Sequence, residues 1–395
     1  MPDFPSQNAL SRRDALRTLV GGALAVGALV AGIAGTARPA AARVARAAET
    51  ALRKVGLPFL WPSKSVYGLA AAAPDSVWFV GVQGELTVPG PIPGTGKTVG
   101  GSPVIRRWDG RGWKEHPIRN WSGNGGLHSV AAPSPADVWV AGLVRGDQDT
   151  VRPYLARFTG SAFEPVAPPP GLTLWIARYP QLKATPAGLF LNGGTDRAHH
   201  LYRWAGTGWT AYPDSGLHQV RVFDARTPGD VWMIGELEGG YGRPAARHWD
   251  GTAWGEVPLP PLTYEVGLPG DVLAIAADDV WVTGSDEEFG SGNARTALLW
   301  HWDGRAWSKA SVPSGAEVPD GFHRDPDGSF WGHRIDPAAP GRLVVLRYDG
   351  SAWRPTGTTL VAPDNLRLSG PVRVPGTGRF WTQAGDGTTI LTDQP

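Results

Sequence analysis

Beyond residue 56 the apolar positions of this chain come in short runs broken by Gly, Pro and Asp, and the runs recur as two alternating motifs. The first, Asp-Val-Trp-x-x-Gly, stands at 137–142, 230–235 and 279–284, with looser copies at 76–81, 188–193, 328–331 and 378–381. The second, Trp-Asp-Gly-x-x-Trp, stands at 108–113, 249–254 and 302–307, with variants at 158–163, 204–209 and 348–353. Each repeat has room for four short strands. In the fifth repeat the pattern predicts strands over 272–276, 280–284, 297–302 and 306–312, with Asp303-Gly304 as a tight turn that sets Trp302 opposite Trp307. Ahead of the repeats, Val44, Ala47, Ala48, Ala51, Leu52 and Val55 keep helical spacing and predict a short helical linker over 43–56.

Copies of the first motif lie 42 to 61 residues apart, a period of propeller blades and not of helical solenoids. Seven copies of the first motif against six of the second leave the last blade one strand short. The expectation is therefore an all-β fold, a seven-bladed β-propeller with four-stranded blades over 57–395. An N-terminal strand within 57–63 would close the last blade and remove free sheet edges. The pattern resembles secreted bacterial β-propellers that carry these two repeats and, more distantly, kelch-like and sialidase-like propellers. That resemblance implies a fold and leaves function open, because propellers host binding scaffolds, lectins and enzymes alike.

Composition narrows the choice. Gly 54 and Pro 37 disfavour long helices, while 42% hydrophobic residues and 19 Trp disfavour disorder. Zero Cys excludes disulfides, thiolate metal sites and cysteine nucleophiles. A formal net charge of +1 offers no field to attract nucleic acid.

The first 42 residues read as an address. Ser11-Arg12-Arg13-Asp14-Ala15-Leu16-Arg17 precedes an uncharged, Gly- and Ala-rich run, and Ala40 to Ala42 offer a small-residue cleavage site. The Arg pair resembles the twin-arginine (Tat) signal, Ser-Arg-Arg-x-Phe-Leu-Lys, with Ala15 in place of Phe and Arg17 in place of Lys. The resemblance implies that Arg12 and Arg13 are read by the twin-arginine export machinery and that the body is secreted or held in the cell envelope. A general secretory signal and an uncleaved anchor are the alternatives; only the uncleaved segment would then engage the membrane.

Candidate chemistry is sparse. His128, His218 and His323 each stand where a first strand begins, so they could gather at one channel mouth as ligand-binding or metal-binding imidazoles, or as polar lining. Asp147, Asp196, Arg197 and Asp286 fall in connections between second and third strands on the same face, and the longest such connection, 82–102, reads as a flap or an insertion. His248 and His301 precede a Trp-Asp-Gly and read as repeat positions. No nucleophile elbow, phosphate-binding loop or His-Glu-x-x-His is present. The reading is an exported, monomeric, non-catalytic binding or scaffold propeller for an envelope protein or glycan, without a cofactor. The alternative is an extracytoplasmic hydrolase or lyase acting on a glycan at the channel mouth, with catalytic residues unknown.

Overall fold

The two motifs become strands because each supplies a half of one packing unit. In a computed structural model, which describes residues 48–89, 96–146, 150–172, 174, 179–194, 199–288, 294–325 and 327–395, they form seven sheets, one per repeat, each built on an antiparallel blade of four strands; the strands run in chain order except where N-terminal strands join blades 6 and 7. The fifth blade has Val266–Ala276, Asp279–Glu287, Arg295–Trp302 and Trp307–Lys309, with the first three of the expected strands lengthened and the fourth shortened. The aromatic ends of every Trp-Asp-Gly-x-x-Trp copy are direct cross-strand partners: 108 with 113, 158 with 163, 204 with 209, 249 with 254, 302 with 307 and 348 with 353.

The first motif's Trp packs against the second motif's pair in the next blade. Trp139 lies 4.8 Å from Trp204 and Trp232 5.2 Å from Trp302, ring centre to ring centre. Trp281 lies 5.4 Å from Tyr348. The ring closes in the same way, with Trp381 of blade 7 5.5 Å from Trp108 of blade 1. Offset and edge-on aromatic contacts of this kind add to an already large burial.

The remaining motif residues have equally local reasons. Asp137 and Asp279 accept the indole N–H of Trp139 and Trp281 at 2.8 and 2.7 Å. The same carboxylates meet a third-strand cation or imidazole, Arg157 at 2.8 Å and His301 at 3.0 Å, and Asp230 meets His248 at 2.9 Å. His248 and His301 are thus blade-forming residues. In the second motif, Asp109, Asp250, Asp303 and Asp349 each accept two backbone N–H groups of their own turn. The motif Gly has a steric cause: the first strand bulges toward the second, so a Cβ on Gly81, Gly142, Gly235 or Gly284 would overlap the carbonyl oxygen of Ser65, Gly126, Gln219 or Leu268.

Closure corrects two expectations. Ala48–Ala51 and Arg53–Val55 are strands where the spacing predicts a helix. Arg53–Val55 supplies the fourth strand of blade 7, pairing with Ile390–Thr392, so the closing strand lies just before 57–63 and not within it. Ala48–Ala51 pairs in parallel with Trp353–Val361 as a fifth strand of blade 6, and buried Leu52 packs between these pairings among Leu360, Leu368 and Leu391. Helix propensity loses here because two open sheet edges offer the segment's backbone hydrogen-bond partners on one side. Residues 57–63 instead run toward blade 1, burying Leu60.

Candidate ligand-binding face

Antiparallel four-stranded blades present two unlike ends. One end, the turn face, carries the tight turns joining first to second and third to fourth strands. The other, the loop face, carries the connections between second and third strands and those passing from blade to blade. All the exposed large apolar side chains among the described residues lie at the loop face. Phe59 and Trp61 stand on the segment entering blade 1, Leu86 and Val88 on the blade 1 hairpin, and Leu237 and Tyr241 in blade 4. Tyr264 and Val312 stand on connections into blades 5 and 6, and Tyr67 and Tyr179 flank the channel mouth.

The connection expected as a flap is paired. Ser76–Pro89 and Gly96–Trp108 continue their ladder from Gln83 opposite Ser102 to Pro89 opposite Gly96, so a hairpin rises from blade 1. Residues 61–63 lie along its base: Trp61 donates its N–H to Gln83 Oε1 at 3.0 Å, and Gly84 donates to the Pro62 carbonyl at 3.1 Å. Phe59 and Trp61 meet edge to face at 5.7 Å and remain 77% and 62% exposed. These two residues escape a reading based on repeats because they belong to no motif; a Trp outside both motifs is the available signal.

At the mouth, His128 lies flat against Tyr179 at 3.8 Å and Tyr67 at 4.8 Å, joining blades 1, 2 and 3. Beside them Arg145 and Glu85 form a largely buried ion pair at 2.7 Å. Burial and the Arg145 cation push the His128 imidazole down to about 4, so it is neutral at pH 7. Burial, and then Glu85, raises the Tyr67 phenol. An aromatic trio beside a fixed charge pair suits stacking and hydrogen bonding.

The three imidazoles do not converge. His218 precedes the first strand of blade 4, while His323 pairs within its own blade, Nε2 to His333 Nδ1 at 2.8 Å, and stacks on Trp331 at 4.0 Å. Among the described residues no three His, Asp or Glu side chains group as metal ligands, which overturns the metal candidate His128, His218, His323. Asp286 is 3% exposed and accepts the backbone N–H of Thr263 and Tyr264 at 2.5 and 3.0 Å. Its work is to fix the connection into blade 5, not to meet a ligand. Asp147, Asp196 and Arg197 lie outside the described residues, as do Arg12, Arg13, Ala40 and Ala42.

The loop face also holds a groove of about 820 Å³ between blades 5 and 6, bordered by Arg295, Arg334, Arg367, Glu317 and Asp336. Arg334 pairs with Glu317, and Arg295 with Glu287 at 3.3 Å, so the groove is polar and balanced at its rim. Pockets of this size hold several sugar rings or peptide residues. No helix among the described residues is long and apolar enough to cross a membrane.

No protein-family model matches the chain, and no curated protein matches it. Solved structures match in fold. A chain of the mitotic checkpoint complex aligns over 94% of this chain and 98% of its own, at 10% identity and a TM-score of 0.51. The extracellular domain of a hybrid two-component system from B. thetaiotaomicron aligns over 87% of this chain at 9% identity and a TM-score of 0.50. This chain spans only 39% of the length of that domain. YCF48 bound to D1 peptide aligns over 86% of this chain and 98% of its own, at 13% identity and a TM-score of 0.48. At such identities the likeness is one of architecture: the chain is a seven-bladed, all-β propeller with four-stranded blades.

Proposed function

We propose that this protein is an exported, non-catalytic binding propeller whose loop face recognises an envelope protein or glycan. The observation that carries the reading is the confinement of large exposed apolar side chains to that face. Scattered apolar side chains on a surface need no explanation, whereas a face that concentrates Trp, Tyr and Phe fits a recognition surface. The neighbours in fold include an extracellular domain and a member of a multiprotein complex, in keeping with a binding role. Export rests on the Arg12-Arg13 pair and the apolar run behind it.

The test is a binding screen of the purified protein against cell-wall glycans and purified envelope proteins, with a turnover assay on every glycan. Saturable binding without turnover, weakened by Phe59→Ser/Trp61→Ser, is the expected result. Turnover abolished by a loop-face carboxylate substitution would establish the hydrolase or lyase instead. Export is checked by Arg12→Lys/Arg13→Lys, which keeps the charge and should block secretion if the twin-arginine machinery reads the guanidinium pair. Normal secretion of that variant would assign the general route.

A further inference from the structure

A second cavity, of about 390 Å³, lies in the channel and reaches the turn face beside Pro133, Pro186 and Gly328. Its two walls differ in chemistry. The first strands of blades 1 to 3 line one side with Ala70, Ala71, Ala131, Ala132 and Ala184, whose short side chains leave the space open. The other side presents Arg324 and Arg373 with one carboxylate, Asp325, beside His323 and Trp331, and Lys183 adds a third cation from the same blade 3 strand as Ala184.

Lys183 and Arg324 meet on a common strand, the first of blade 5. Lys183 Nζ meets the Phe223 carbonyl at 2.9 Å, Asp271 at 3.5 Å and the Val272 carbonyl at 3.5 Å. Arg324 donates to the Ala274 carbonyl at 2.8 Å and lies 3.5 Å from Asp224. Val272 and Ala274 are two residues apart on the first strand of blade 5, so the two heads grip it about 7 Å apart. The balancing carboxylates are occupied: Asp224 accepts the Ala274 N–H at 2.9 Å, and Asp271 accepts those of Val272 and Phe322 at 2.8 and 2.9 Å. Neither carboxylate lines the cavity. Arg373 is taken up by Asp325 and by Ser329 at 2.8 Å. Arg324 Nε, by contrast, is buried with no hydrogen-bond partner among the described residues, a costly state for a charged donor. The positive field at this wall is also felt by His323, which burial first, and then His333, Lys183 and Arg373, hold well below the ordinary imidazole range.

We infer that this cavity binds a small carboxylic acid with a compact apolar body, its carboxylate against the Arg324 and Lys183 head groups and its body against the alanines of blades 1 to 3. The site stands apart from the loop face and does not depend on what that face recognises.

The experiment is calorimetric titration and thermal shift of the purified protein with benzoate and hexanoate, against benzyl alcohol and benzylamine as neutral and cationic controls. Both acids should bind, with the controls at least tenfold weaker. Ala184→Leu, which enters the cavity without removing a hydrogen bond, should weaken benzoate at least tenfold and keep the ligand-free Tm. Asp224→Asn/Arg324→Met, which removes the cation without leaving a bare buried carboxylate, should also weaken benzoate at least tenfold. If that pair fails to fold, Ala184→Leu decides alone. Phe59→Ser/Trp61→Ser should leave acid binding untouched, which separates this site from the loop face. Absence of acid binding at millimolar concentration, equal binding of benzylamine, or benzoate affinity unchanged in Ala184→Leu would overturn the assignment.

Discussion

The turn face and the loop face are built from the same seven blades, yet they obey different rules. At the turn face the third-to-fourth connections of the first six blades are the same four-residue turn. Asp250 and Asp303 consume their own turn's N–H groups, and Gly251 and Gly304 take the positive φ, 99° and 91°, that the turn requires. At the loop face the connections differ from blade to blade, rise as a hairpin in blade 1, and expose Trp61, Tyr179 and Tyr241. Repetition therefore marks what the scaffold needs, and departure from repetition marks where recognition can be placed.

The largest effect expected from this contrast is on the repeated side. Trp281→Ala removes a 3% exposed ring that packs on Tyr348 of the next blade, and should cost about 3–5 kcal/mol in chemical denaturation. A loss below about 1 kcal/mol would mean that the blades do not depend on the motif aromatic. Next comes the closing segment: Leu52→Ala empties a buried position where blades 6 and 7 are joined and should cost about 2–5 kcal/mol. Leu57→Ala, in the stretch that does not close the ring, should cost less.

A third prediction concerns acid. His128 and His323 have folded-state affinities for protons below that of a free imidazole, so the unfolded chain takes up protons first as pH falls below about 6.5. Stability due to these two rings is complete above that pH and declines toward pH 4. The turn carboxylates behave differently: backbone and Thr252 hydrogen bonds hold Asp250 down at about 2, so its contribution persists until the pH falls below about 4. Thermal unfolding between pH 7 and 4 should therefore show a fall in Tm that His128→Asn/His323→Asn reduces. An unchanged slope in that variant would remove the two rings from the account. The smallest stability effect belongs to the loop face, where Trp61→Ser should change stability by no more than about 0.5 kcal/mol.

The legibility of the chain follows the same division. Blade number, the Trp pairs and the structural role of His248 and His301 can be read along the sequence because each is set by neighbours within one repeat or the next. The helix expected over 43–56 fails because the partners of Ala48–Ala51 and Arg53–Val55 lie some three hundred residues away, and no local pattern records an open sheet edge. The triad His128, His218, His323 fails for a related reason. Equal places in the repeat do not fix where a ring points, and two of the imidazoles follow their nearest aromatic neighbours, Tyr67 and Tyr179 for His128 and Trp331 for His323. Asp286 was legible as a loop residue but not as a buried acceptor, because its donors come from the preceding connection.

The measurement that bears most directly on the loop face as the recognition surface is the affinity of three proteins for a bound glycan or envelope protein: the parent, Phe59→Ser/Trp61→Ser, and Arg305→Ser at an exposed turn-face position. The account predicts at least a tenfold loss for the loop-face pair and none for the turn-face variant, with matching Tm values in all three. Loss of binding in Arg305→Ser with full affinity in the loop-face pair would contradict it.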